Sequence, residues 1–270
     1  MCFNMKEFEI AIIGTGNLGR AIAHGFASQI PKEKIVLTRR HASKLEHLAN
    51  LGFSTTDDNV AAAKNSNIIV LCVQPKQVEG VLKEIDAIID PSEHIIVSTI
   101  TGVSLEKIQR ATSKKLPIIR SMPNTAAAIS ESMTCICGNE LAQNHLKPVE
   151  QLFKSLGDTL IIEERLMKAA TVLAASGIAF FLRYIRAATQ GGIELGFEAE
   201  EAQKIAMQTA RGAASLLVEG DAHPEMEIDK VTTPMGCTIA GLNEMEHQGL
   251  SSALIKGIVT SFNKINTIAQ

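Results

Sequence analysis

Two stretches of this 270-residue chain combine residue types that can do chemistry. One is Gly14-Thr15-Gly16-Asn17-Leu18-Gly19. Its first glycine allows a tight turn, the second lets a pyrophosphate approach the backbone, and the third lets a helix pack on a strand. The other runs from Thr232 to Glu246, where Pro234 and Gly236 set up a turn before an apolar-periodic run that Thr238 opens, with Ile239, Leu242 and Met245 on one face. Free backbone N–H groups at a helix start, beside a threonine hydroxyl, can hold a small carboxylate and offer one hydrogen bond. Thr is also a common N-cap, so an ordinary capped helix is the competing reading.

The elements that must position these stretches follow from the apolar pattern. Phe8 to Ile13 is a short apolar run before the glycines, and Arg20 to Ala27 after them has a helical pattern, giving the strand–loop–helix order that a dinucleotide site requires. Further strands are predicted at Ile35 to Thr38, Ile68 to Val73, Ile95 to Ile100, Pro117 to Ser121 and Met133 to Cys137. Helices between them cover Lys44 to Leu51, Gln77 to Ile89 and Leu105 to Thr112. This is the rhythm of a Rossmann-type, doubly wound parallel sheet, whose ligands bind at the carboxyl ends of the strands. That edge carries Gly14 to Gly19, Thr38 to His41, Val73 to Pro75, Thr101-Gly102 and Met122 to Asn124. At the end of the second strand an NAD site usually places an acid, whereas Thr38-Arg39-Arg40 stands here. A guanidinium fork suits a 2′-phosphate, so NADPH is expected, with NADH as the alternative donor. Two solvated arginines would be the structural alternative.

After Ile161-Ile162 the material changes. Arg165 to Leu195 and Ala199 to Glu219 have helical patterns rich in alanine, a third helix starts near Gly236, and a fourth covers Ser251 to Ile268. The boundary is placed near Glu163, giving a dinucleotide-binding domain at 1–162 and an all-helical substrate-binding and dimerisation domain at 163–270. Small residues such as Ala174, Gly177, Gly191 and Gly192 would allow close helix approach, and the quantity of apolar surface points to burial against a second copy, a homodimer or larger homo-oligomer. A net charge of −3 with scattered basic residues argues against nucleic acid as a partner. Five cysteines form no disulfide framework, and no Cys/His spacing reads as a metal site. No signal peptide and no apolar run of membrane-spanning length is read, so the expected location is the cytoplasm, without a membrane partner.

From about Ile10 to Ile265 the chain resembles the pyrroline-5-carboxylate reductase family. The resemblance is carried by the glycine motif, Val73-Gln74-Pro75, Arg120 to Thr125, Ala175-Ser176-Gly177 and, most specifically, Met122 to Thr125 and Pro234 to Leu242. It implies NADPH-dependent reduction of the cyclic imine 1-pyrroline-5-carboxylate to L-proline, the last step of proline biosynthesis. It also implies roles residue by residue. Gly14, Thr15, Gly16, Asn17, Leu18 and Gly19 would hold the pyrophosphate, Arg39 and Arg40 the 2′-phosphate, and Asn59 would lie near the adenosine. Cys72, Val73, Gln74, Pro75 and Thr101, with Met122, Pro123 and Asn124, would line the nicotinamide. Glu164, Ser176, Gly236, Cys237 and Thr238 would meet the substrate, with Thr238 orienting its nitrogen as the catalytic group.

The chain departs from the family pattern at several of these places. Pro-Gly-Gly-Thr-Thr becomes Pro234-Met235-Gly236-Cys237-Thr238, so Met235 must avoid positive φ or accept strain. Gln74 replaces a lysine, and Ser176-Gly177-Ile178-Ala179-Phe180 lacks a tyrosine hydroxyl. Two other readings follow. A related 3-hydroxyacid dehydrogenase would need a lysine early in the interdomain helix, but Ala174 to Phe180 offers none and Lys168 lies too early. A nucleotide-binding protein with a regulatory, non-catalytic role is motivated by Met235, Gln74 and Ile178.

Overall fold

The computed structural model describes residues 9–268, so Phe8 of the first predicted strand lies outside the described residues. The chain forms two compact units, one reaching Ser176 and resuming at Phe262, the other Gly177–Ser261. In the first unit the order is β1 (Ile10–Ile13), α1 (Asn17–Phe26), β2 (Ile35–Thr38), α2 (Glu46–Ala49), β3 (Ser54–Thr56), α3 (Asn59–Lys64), β4 (Ile68–Leu71) and α4 (Val78–Ile85). There follow β5 (Ile95–Ser98), α5 (Leu105–Arg110), β6 (Ile118–Met122), β7 (Ser132–Gly138), α6 (Leu146–Phe153), β8 (Gly157–Ile161) and α7 (Met167–Ala170), which leads into a π-helical turn, Thr171–Ser176.

The strands form one sheet in the order β3-β2-β1-β4-β5-β6-β7-β8. The central strands IAII, IVLT, IIVL and IIVS read as continuous apolar runs because helices cover both faces of a parallel sheet. Successive side chains divide between those faces: Ile10 and Ile12 pack with Ile22, Phe26 and Phe153, while Ile13 packs with Ile69, Leu71 and Ile96. The chain leaves β1 towards β2 and returns on its other side at β4, the switch point where open α/β sheets bind ligands.

The sheet is mostly parallel, and it departs from the sequence reading in one strand's direction and in two added strands. β7 runs antiparallel to β6, with Arg120 opposite Cys137 and Met122 opposite Cys135. The link from β6 to β7 is a short 3₁₀ turn, Thr125–Ile129, too short for the crossover that a parallel return needs. β3 and β8 were absent from the sequence pattern because Ser-Thr-Thr is three residues long and Gly157–Ile161 is part polar.

The second unit contains α8 (Gly177–Glu194), α9 (Ala199–Glu219), α10 (Pro224–Val231), α11 (Cys237–His247) and the start of α12 (Leu250–Ile268). α8 packs on α9, and a Cβ added at Gly192 would stand 3.0 Å from Ala202 Cβ. Few side chains are buried, Ala202 and Ala206 among them, while Phe181, Leu182, Tyr184, Leu195, Val218 and Ile255 stand exposed. The absence of a membrane-length apolar run also needs correction: the helical stretch Glu164–Glu194 is long and apolar enough to meet that criterion. Its charged residues cluster at the ends and at Arg183 and Arg186, leaving an apolar middle that sequence spacing presented as an ordinary packing helix.

Candidate functional site

The glycine loop is built by close backbone contacts. Gly14 has φ +96°, and a Cβ there would stand 2.7 Å from Val73 Cγ1 and 2.9 Å from the carbonyl carbon and oxygen of Cys72. Gly14 and Thr15 donate their backbone N–H groups to the Thr38 carbonyl at 3.2 and 2.9 Å, tying the loop to the end of β2. A Cβ on Gly19 would meet the Gly14 carbonyl oxygen at 2.9 Å, so the helix can close on the turn only without a side chain. Gly16 differs, since a Cβ there would have nothing within 4 Å. It is the N-cap of α1 and supplies no side-chain acceptor, whereas α3 and α5 are capped by Asp58 and Ser104. Open space before uncapped N–H groups fits a pyrophosphate.

At the end of β2, Arg39 is half-buried, with Nη1 3.5 Å from the Thr15 carbonyl, while Arg40 is exposed. Arg39 is thereby brought to the glycine loop. Asn59, the first residue of α3, accepts a hydrogen bond from the Thr38 hydroxyl at 2.6 Å and donates one to Glu84 at 3.0 Å. Glu84 was not singled out in the sequence, where nothing separates it from other surface acids of a helix.

The neighbouring strand ends gather the remaining first-unit residues. Cys72 accepts a hydrogen bond from the Thr99 hydroxyl at 3.4 Å, and burial pushes its thiol up to about 12 despite that bond. It is a neutral thiol across the physiological range. Gln74 caps the 3₁₀ turn Pro75–Gln77, its backbone N–H bonded to Gln77 at 3.1 Å, and Val73 touches the Gly14 position. The Thr101 hydroxyl lies 3.8 Å from Met122 Sδ, joining the ends of β5 and β6. Asn124 is buried and fully used: its Oδ1 accepts from Ala126 N–H at 2.9 Å and its Nδ2 donates to the Ala174 carbonyl in the π-helical turn at 3.2 Å. Ser176, half-buried, ends that turn. π-helical turns are rare and recur at functional sites.

Glu164 lies at the start of the segment leading into that turn. Its Oε1 accepts from Leu105 N–H at 2.7 Å and from Arg120 Nη1 at 3.2 Å. The motif around Arg120 does not by itself assign it a role. An arginine inside the apolar strand Ile-Ile-Arg-Ser-Met is nonetheless the signal that could have marked it, since buried polar groups are the informative ones. Arg120 Nε and Ser121 Oγ are buried without a hydrogen-bond partner among the described residues.

The second unit carries the threonine loop. α11 opens at Cys237, between the start expected near Gly236 and the apolar run that Thr238 opens, with Gly236 as its N-cap. A Cβ at Gly236 would stand 2.5 Å from Thr233 Oγ1, and its N–H bonds the Thr233 carbonyl at 3.0 Å, so the turn needs a glycine there. Cys237 and Thr238 are exposed, at the first two positions of a helix with no side-chain cap. Met235 takes the strained alternative, with φ +59° and its side chain fully exposed. A left-handed conformation costs a non-glycine residue about 1–2 kcal/mol, partly offset by the lower unfolded-state entropy that methionine has relative to glycine. Met235→Gly is therefore expected to stabilise the protein by about 0.5–1 kcal/mol, read as a raised denaturant midpoint. A lowered midpoint would contradict a strained loop.

Known families and proteins resemble the chain in both its halves. The family described as pyrroline-5-carboxylate reductase dimerisation matches residues 164–268, and the family described as NADP oxidoreductase coenzyme F420-dependent matches residues 9–102. Pyrroline-5-carboxylate reductase 2 of Dictyostelium discoideum is 46% identical over 94% of this chain and 91% of its own length. Pyrroline-5-carboxylate reductase 1 of the same organism is also 46% identical, over 96% of this chain, which spans half the length of that relative. Among solved structures, the pyrroline carboxylate reductase of Plasmodium falciparum with NADP bound superposes with a TM-score of 0.87 at 23% identity, covering 99% of this chain and all of the other.

Proposed function

The chain belongs to the pyrroline-5-carboxylate reductase family, and from that premise we propose that it is an NADPH-dependent oxidoreductase reducing 1-pyrroline-5-carboxylate to L-proline, the last step of proline biosynthesis. The observation that carries this reading is one chain holding both an intact dinucleotide cradle and, at 164–268, the helical region of that family. Bound NADPH supplies the hydride that reduces the imine carbon. The chain's own residues do the rest. The N–H groups at the start of α1 hold the pyrophosphate across the open space at Gly16, and Arg39 meets the 2′-phosphate. The uncapped start of α11 holds the substrate carboxylate, and the Thr238 hydroxyl donates to the ring nitrogen. Cys72, a neutral thiol, places no negative charge beside the nicotinamide. An iminium substrate needs little more than orientation, which agrees with a site lacking an acid–base pair.

The exposed apolar helices of the second unit are covered by a second copy, so the working form is a homodimer or a larger homo-oligomer. The described cysteines, Cys72, Cys135, Cys137 and Cys237, are free thiols, which suits the reducing cytoplasm. Mixing purified protein with NADPH and pyrroline-5-carboxylate should lower the nicotinamide absorbance; a flat trace across pH and substrate concentration would sink the proposal and favour a non-catalytic nucleotide binder. In the same assay Arg39→Ser is expected to raise the KM for NADPH about 10- to 100-fold, the worth of a charge-assisted hydrogen bond, with the KM for NADH changed by less than about threefold. Equal rises for both cofactors would remove Arg39 from the 2′-phosphate.

A further inference from the structure

We propose that Glu164 is a positioning residue, a clasp that acts through Arg120 and the start of α5 to hold the strand ends that carry the reaction. The proposal rests on the reductase reading for its kinetic consequences but not for its geometry. Arg120 lies inside β6 with 5% of its side chain exposed, and a guanidinium so buried needs a paired charge. Among the described residues, Glu164 is the carboxylate within ion-pair distance, at 3.2 Å, and Arg120 Nε has no partner to fix the group from another side. The same Oε1 takes the N–H of Leu105, the first residue of α5, and so ends the loop from Thr101 to Ser104 at a fixed point. Two residues past the end of the same strand, Asn124 holds the Ala174 carbonyl at 3.2 Å. The segment from Arg120 to Asn124 is thus stapled twice to the segment from Glu164 to Ser176. One staple also carries the β5–α5 loop. Thr101, Met122 and Ser176, none of them bonded to Glu164, are set in register by it.

The test is a double-mutant cycle in the full-length protein, varying NADPH and pyrroline-5-carboxylate separately. Glu164→Ala is expected to lower kcat about 10- to 100-fold, the scale of a small misplacement of reacting groups, with the KM for NADPH kept within about threefold. Glu164→Gln, which keeps an acceptor for Leu105 N–H, should recover part of the loss. In an Arg120→Met background, Glu164→Ala should lose the share of its effect that passes through Arg120 and keep the share that passes through Leu105, so the two substitutions are less than additive. A direct substrate contact would instead raise the imino-acid KM at constant kcat and add in full to Arg120→Met; that result overturns the clasp. If the wild-type protein fails to oxidise NADPH with this imine, the reductase reading falls by itself. Amide hydrogen exchange then decides the clasp: Leu105 N–H should be protected in wild type and Glu164→Gln and fast in Glu164→Ala, and unchanged exchange in Glu164→Ala would overturn it.

Discussion

Gly14→Ala is expected to abolish measurable NADPH binding and to destabilise the first unit by about 2–5 kcal/mol. Two costs add. The left-handed conformation at φ +96° is strained for alanine by about 1–2 kcal/mol. The new methyl would also press on Cys72 C and O at 2.9 Å, and forced overpacking of this kind costs about 1–3 kcal/mol. Val73 Cγ1, at 2.7 Å, can rotate away. The Cys72 backbone cannot, since its N–H is tied to the Ile13 carbonyl at 2.8 Å within the sheet. The loop must move instead, straining its bonds to Thr38 and displacing the start of α1 from the proposed phosphate site. Gly16→Ala provides the contrast. Its methyl enters open space at φ −89°, so stability should stay within about 0.5 kcal/mol of wild type while affinity falls, because the methyl would occupy the room proposed for the phosphate. Thermal unfolding and NADPH fluorescence titration read both effects. Wild-type affinity in Gly14→Ala would show that the loop does not bind the coenzyme.

The same contrast shows which parts of the molecule could be read in advance. The glycine loop was legible because its chemistry is local: three glycines, one strand and one helix lie within about twenty residues. The central strands were legible because burial on both faces leaves an unbroken apolar run. β3 and β8 were not, being short or part polar, and pairing rather than composition makes them strands. The antiparallel entry of β7 escaped because a strand's direction is set by the length of its connection, not by its own residues. At the site, Arg39 could be named from its place after a strand, whereas the Arg120–Glu164 pair joins residues 44 apart in sequence, a distance over which spacing says nothing. Met235 lies between these cases. Its departure from glycine was visible, but only the backbone shows that the turn kept its left-handed form and absorbed the strain.

The helical unit poses the converse problem. Its apolar residues were legible as helix positions, yet in one chain Phe181, Leu182, Leu195 and Val218 face outward. Amphipathic periodicity identifies a face to be buried and not the partner that buries it. The match of residues 164–268 to a dimerisation family supplies that partner as another copy.

Thr238→Ala is expected to lower kcat about 100-fold while leaving the KM for NADPH within about twofold. The size follows from the proposed role, one oriented donor to the imine nitrogen; removal of a single such donor commonly costs two to three orders of magnitude. The loss should not come from unfolding. Thr238 is exposed, sits at the second position of α11 rather than at its cap, and the turn before it is held by the Gly236 N–H bond to Thr233. Removing its hydroxyl therefore leaves the cap geometry intact, and the melting temperature should move little. Thr238→Ser, which keeps the hydroxyl, should retain most of the turnover. Cys237→Ala, one position earlier, should stay within about threefold of wild type, because the backbone N–H groups of this turn, not the thiol, are what a carboxylate needs. If Thr238→Ala turned over at the wild-type rate, the hydroxyl would have no part in orienting the imine, and the start of α11 would be left as a carboxylate site alone.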